Sequence, residues 1–164
     1  MSEQHPGFAQ TAEEYCSIVE NAETFQRAEF ATLCFRLVSK LLKEASELPA
    51  APLIEKVHSI GNEEYSRIVF KLKNVLVDKD YYRMFFDPYE QDVEPIYGSL
   101  SDDLADIWRD LKGGFEAYRS GSVEGAIGEW RFAFAHHWGS HHATHALKPL
   151  LSLMLEGGWY ENEE

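Results

Sequence analysis

Apolar residues recur every three or four positions through most of this chain, and nowhere do they alternate long enough to define a strand. Tyr15, Ile18, Val19 and Ala22 form one such stripe, and Ala31, Cys34, Leu37, Val38, Leu41, Leu42 and Ala45 form a second. Tyr65, Ile68, Val69, Leu72, Val75 and Leu76 form a third, and Leu104, Ile107, Trp108, Leu111, Phe115 and Tyr118 a fourth. Each stripe lies on one side of a helix and must be buried against another helix. The expected fold is therefore all-α, a bundle of about five helices built as a single domain over 1–164, with 1–10 and 157–164 as loose termini. At 164 residues, 45% of them hydrophobic and 26% charged, the chain holds enough apolar material for one core without disulfide or metal staples.

Capping and breaking residues set the expected boundaries. Thr11 and Glu14 read as a capping box opening a helix over 11–23, and a second helix continues from Thr24 to just before Pro49. The connector LPAAP, Leu48–Pro52, follows, because proline removes a donor and disfavours helix in the residue before it. Asn62 is the expected cap of a third helix ending near Asp78. The aromatic run YYRMFFDPYEQ, Tyr81–Gln91, reads as a short helix or packed loop. Ser99 and Asp102 form another capping box, opening a fourth helix that reaches Ser120. From Ser122 a long fifth helix is expected to reach Leu155, interrupted at Gly139, kinked near Pro149 and stopped by Gly157 and Gly158.

Net charge narrows the partners. Fifteen basic residues stand against 28 acidic ones, a formal charge of −13, which repels nucleic acid and anionic lipid alike. No apolar run approaches the roughly 18 residues of a membrane span. The start, MSEQHPGFAQTAEEY, has neither the basic nor the apolar segment of a secretory signal. Cys16 and Cys34 lack a CxxC partner and read as small core residues in a reducing compartment. A cytoplasmic protein without a nucleic-acid or membrane partner is expected.

Five of the seven histidines fall in AHHWGSHHATHAL: His136, His137, His141, His142 and His145. With His136 at zero and about 100° per residue, His137, His141 and His145 lie near 100°, 140° and 180°, roughly the face of Ile127, Trp130 and Phe134. These three should turn inward, while His136 and His142 should be solvated. Imidazoles at i and i+4 can present two nitrogens to one divalent ion, although equally they can be buried histidines satisfied by hydrogen bonds. No glutamate follows the first histidine, so the helical metalloprotease pattern fails. Gly139 and Ser140 sit mid-segment, where glycine costs about 1 kcal/mol relative to alanine, so either another group approaches closely or the helix is broken.

The segment SDDLADIWRDLKGGFEAY places Asp103, Asp106 and Asp110 on a ridge beside its apolar stripe. Asp106 and Asp110 are like charges at i and i+4, a destabilising pair that needs compensation, and Arg109 can answer only Asp106. The ridge reads either as a solvated acidic face or as carboxylates meeting the histidines across the bundle. From Asp87 to Asp110 eight acids, Asp87, Glu90, Asp92, Glu94, Asp102, Asp103, Asp106 and Asp110, face only Arg109, so a basic partner or a cation could dock there.

The segments DYYRMFFDPYE, SLSDDLADIWRDLKGG and EWRFAFAHHWGSHHATHAL resemble a family of small bacterial helical proteins catalogued as a domain of unknown function. The resemblance covers about residues 9–154 and implies a helical bundle and a bacterial source; it assigns no catalytic residue. The family's histidine motif is shorter, which leaves His136, His142 and His145 outside it. From the residues themselves we expect a ligand-binding or protein-interaction module. Its polar pocket would lie between the fourth and fifth helices and be lined by Asp103, Asp106, Asp110, His137 and His141. The partner would be a small ligand or a basic protein. The alternative is a metal-dependent hydrolase in which His137, His141 and Asp106 hold a divalent metal.

Overall fold

A computed structural model describes residues 6–53 and 59–161. Six α-helices are present among them: α1 (Pro6–Glu20), α2 (Arg27–Ser46), α3 (Asn62–Leu76), α4 (Leu100–Arg119), α5 (Val123–His136) and α6 (Thr144–Glu156). A two-stranded antiparallel sheet, β1 (Tyr81–Met84) and β2 (Ile96–Ser99), precedes α4, and a π-helical turn, Trp138–Ala143, joins α5 to α6. The protein is mostly helical, as the periodicity predicts. Helix α4 packs against α1, α3 and α5, while α2 packs against α1 and α6. The core around α4 contains Tyr15, Phe30, Trp108, Trp130 and Trp138, all essentially inaccessible. The indole of Trp130 lies against Phe8 at 4.9 Å and donates to the Leu111 carbonyl at 3.0 Å, which locks α5 to α4. Among the described residues no helix is long and apolar enough to cross a membrane.

Four expectations are corrected. Helix α1 begins at Pro6, so residues 6–10 are helical rather than loose, and Phe8 and Ala9 belong to the core; residues 1–5 and 162–164 lie outside those described. Thr11 is no cap: its hydroxyl donates to the Gly7 carbonyl at 3.0 Å from within the helix. The aromatic run is not a helix or simple loop. It begins as β1, which pairs with β2 in the register Tyr82↔Gly98 and Arg83↔Tyr97. Each strand has only four residues, too few for periodicity to register, and only β1 alternates in exposure; the pairing is fixed from outside by Asp80. That buried carboxylate accepts from the Ser101 backbone at 2.7 Å and the Ser101 hydroxyl at 3.0 Å, while the Asp80 carbonyl accepts from Leu100 N at 2.8 Å. The hairpin is thereby tied to the start of α4, beside the expected Ser99 cap, whose hydroxyl accepts from Asp102 N. The single long fifth helix is the fourth correction. It divides at His137, and Pro149 lies inside α6, which ends before Gly157.

Cys16 and Cys34 are both buried free thiols. Burial pushes the Cys16 thiol up to about 12 and the Cys34 thiol well above its ordinary value. Glu20, at the end of α1, accepts from Trp108 Nε1 at 3.0 Å and from Lys112 Nζ at 2.5 Å, tying α1 to α4. Burial pushes this carboxyl up, but the hydrogen bonds from Lys112 and Trp108 and the charges of Lys112 and Lys71 outweigh it and bring it below its ordinary value. A carboxyl lowered on folding stabilises above its unfolded pKa, near 4.5, and loses that contribution as pH falls through the folded value. Glu20→Gln is therefore expected to lower stability at pH 7 and to converge on the parent protein in strong acid. Denaturant melts from pH 7 down to pH 3 check this; a difference independent of pH would contradict it.

Candidate metal centre

The aspartate ridge of α4 faces the protein rather than water. Asp103 and Asp106 are buried, and the Asp110 side chain is only 15% exposed. Three neighbours account for carboxylates in so apolar a setting. Tyr82 OH, from β1, donates to Asp103 Oδ2, Arg109 donates to Asp106 Oδ1, and His137 Nδ1 lies 2.6 Å from Asp110 Oδ2. The Arg109 guanidinium is itself held 4.4 Å above the Tyr65 ring. Tyr82 can lie flat across the hairpin because its cross-strand partner is Gly98, where a Cβ would come within 2.6 Å of the tyrosine ring.

The break between α5 and α6 determines which imidazoles meet this ridge. His137 leaves the helical region, with φ −144° and ψ −87°, and the chain re-enters helix through a wider π turn. Gly139 makes the turn feasible: a Cβ there would lie 2.2 Å from the Phe134 ring and 2.5 Å from the Phe134 carbonyl oxygen. The wider turn resets the angular phase of everything beyond it. His142, expected in solvent, swings inward until its Nδ1 lies 2.9 Å from Asp103 Oδ1. His141, expected beside His137, instead stacks on Phe86 of the hairpin loop at 4.8 Å. His145 lies near the same ring at 6.1 Å, and His136 packs on Phe132 at the surface.

Three donor atoms converge as a result. His142 Nε2 lies 3.3 Å from His137 Nε2 and 3.4 Å from Asp106 Oδ2, and ligand atoms of Asp106, His137 and His142 all fall within 4.8 Å of one another. Each ring's Nδ1 faces an ionisable carboxylate, Asp110 for His137 and Asp103 for His142. An ionised carboxylate only accepts, so it orients each ring with the Nδ1 hydrogen toward it and, when a ring is neutral, with its Nε2 lone pair toward the other ring. Three lone pairs packed this closely repel unless a proton or a cation lies among them. Two ligand atoms bound to one tetrahedral ion at about 2.0–2.1 Å lie about 3.3–3.4 Å apart, and the two separations measured from His142 Nε2 match that.

Electrostatics favour positive charge at this point. Burial pushes the His142 imidazole down, but its hydrogen bond to Asp103 and the charges of Asp106, Asp103 and Asp110 outweigh it and raise it above its ordinary value. Asp103 is raised by burial, against the opposing hydrogen bonds from His142 and Tyr82. The Tyr82 phenol is pushed up by burial and by the Asp103 charge, which keeps it a neutral donor. His141 is lowered by burial and by the neighbouring imidazoles of His142, His145 and His137, and His145 by burial.

Of the five residues expected to line the pocket, Asp103, Asp106, Asp110 and His137 come together, whereas His141 lies beside the group. Sequence reasoning missed His142, Tyr82 and Asp80. The signal for His142 was present in Gly139, since a broken helix changes the facing of every residue after it. Tyr82 and Asp80 left no signal, because their roles depend on a hairpin that period-two alternation is too short to reveal.

These features define a mostly helical protein with one short hairpin and a polar His/Asp cluster between α4 and the α5–α6 junction. The chain matches the model of a domain of unknown function, DUF5063, over residues 1–156, and it belongs to that family. Its fold is similar to that of BF1032 from Bacteroides fragilis, a structural-genomics crystal structure, with a TM-score of 0.79 at 23% sequence identity. That likeness covers 93% of this chain and 92% of the other. No curated protein matches the chain.

Proposed function

We propose that this protein binds one divalent transition-metal ion through His137 Nε2, His142 Nε2 and Asp106 Oδ2, and that it does so in the cytoplasm. The observation that carries this reading is the facing pair of imidazole Nε2 atoms 3.3 Å apart, each with its other nitrogen committed to a carboxylate. Two nitrogens and one oxygen suit zinc, nickel, cobalt or iron better than magnesium or calcium, which prefer oxygen alone. Asp110 and Asp103 would fix the two rings, with Tyr82 fixing Asp103 in turn. Arg109 occupies Asp106 Oδ1 and so leaves one oxygen for the ion. The buried free thiols of Cys16 and Cys34 support a reducing compartment.

Three protein ligands leave at least one coordination position, and the His137 side chain, 38% exposed, opens it to solvent. An ion bound there would supply Lewis-acid chemistry of the kind used in hydrolysis. This favours the metal-dependent reading over a metal-free ligand pocket. The test is zinc titration by calorimetry of protein purified without a polyhistidine tag, with one equivalent expected. The absence of zinc, manganese or nickel uptake, with no thermal shift on adding them, overturns the proposal. Asp110→Asn, which removes the charge behind His137, is expected to weaken zinc binding by about 10- to 100-fold, read by the same titration.

A further inference from the structure

We infer that the β1–β2 hairpin is a docking surface for a lysine- or arginine-bearing segment of a partner protein. The acidic run expected from the sequence to form one negative surface is divided by the fold. Asp103 and Asp106 turn inward, leaving Asp87, Glu90, Asp92 and Glu94 fully outside on the loop that joins the strands. Among the described residues none of these four makes an ion pair. The Asp87 carboxylate accepts from Tyr89 N, at 2.9 Å, within the loop.

The same hairpin carries a concentration of apolar surface that the core does not use. Phe85 is 53% exposed, Phe86 57%, Tyr89 91%, Ile96 47% and Tyr97 68%. Single exposed apolar side chains are ordinary; five within one short hairpin and its loop are a concentration of the kind found at interfaces. Aromatic rings interspersed with carboxylates fit one chemistry in particular, an ammonium or guanidinium group that meets a ring face and a carboxylate together. Two of the protein's own cations already lie over rings of the hairpin, though among the described residues without a carboxylate paired to them: Arg83 lies 5.4 Å from the Tyr97 ring centre and Lys73 5.9 Å from that of Tyr81. Among the described residues the four loop carboxylates and the more exposed Tyr89 have no such internal cation.

Other occupants fit less well. A second copy would bring the same acids against themselves in a two-fold contact, and nucleic acid or anionic lipid would meet like charge. The inference is independent of the metal centre, since the residues that carry it ligate nothing there.

The test uses fluorescence anisotropy with a labelled peptide of alternating arginine and alanine, at low and high salt. Saturable, salt-weakened binding is expected, with amide shifts in the NMR spectrum confined to residues 81–97 and their neighbours. Because a protein this acidic attracts any polycation, the deciding comparison is between variants of equal charge. Glu90→Gln/Asp92→Asn/Glu94→Gln and, separately, Phe85→Ala/Tyr89→Ala should each weaken binding by about tenfold or more. The remote triple Glu14→Gln/Glu63→Gln/Glu124→Gln should change it by less than about twofold. All altered side chains in the hairpin are exposed, and unchanged circular dichroism verifies folding. Equal losses in both charge triples, or none in the aromatic pair, overturn the inference. So does concentration-dependent dimerisation that the hairpin variants abolish, which would assign this face to a second copy.

Discussion

His142→Ala is expected to weaken zinc binding by more than about 100-fold, while His141→Ala changes it by less than about threefold. The sequence pattern favours the opposite outcome, because an unbroken helix puts His141 beside His137 and His142 in solvent. In the folded protein His142 Nε2 faces both His137 Nε2 and Asp106 Oδ2, so removing this ring removes a ligand and leaves Asp103 without one of its two side-chain partners. Removing His141 costs a stacking contact with Phe86 and no donor atom. Competition with a chromophoric chelator measures both variants on one scale. A larger loss for His141→Ala than for His142→Ala would restore the continuous-helix geometry and refute the broken one.

Gly139→Ala should lower the unfolding free energy by about 2–3 kcal/mol and take zinc affinity down with it. Helix propensity alone gives the reverse sign, since alanine in place of glycine within a helix stabilises by about 1 kcal/mol. The contact decides between them. A Cβ at 139 would lie 2.2 Å from the Phe134 ring and 2.5 Å from its carbonyl oxygen, and backbone cannot yield as a flexible side-chain end can. Relief requires opening the π turn, which carries His142 away from Asp103. Urea melts of metal-free protein isolate the folding term, and zinc titration reads the displacement of the ligand. A stabilised, zinc-competent Gly139→Ala protein would mean that the turn is ordinary α-helix.

How far the sequence could be read depended on the range of the interactions involved. Local signals held along α4: the ridge of Asp103, Asp106 and Asp110 follows from spacing, and Ser99 caps that helix as its capping box indicates. The side of the helix on which His137 meets Asp110 also follows, because the α geometry holds up to His136, although its side chain stays 38% exposed. Beyond Gly139 the same arithmetic failed, since its 100° step presumes α geometry and the chain takes a wider π turn there. The β1–β2 hairpin escaped for another reason. Strands of four residues are specified less by alternation than by contacts such as Asp80 with Ser101 and Tyr82 with Asp103, which join residues about twenty positions apart and leave no periodic trace. Thr11 misled because threonine within a helix can return its hydroxyl bond to the preceding turn, as it does to Gly7.

We propose that Asp106, His137 and His142 share one metal ion. Anomalous diffraction at the zinc edge, from crystals of tag-free protein grown with zinc, tests it atom by atom. The account predicts a single strong peak about 2.0–2.1 Å from both Nε2 atoms and from one Asp106 oxygen. A peak at His141 and His145 instead, or none among these residues while the protein remains folded, would contradict it.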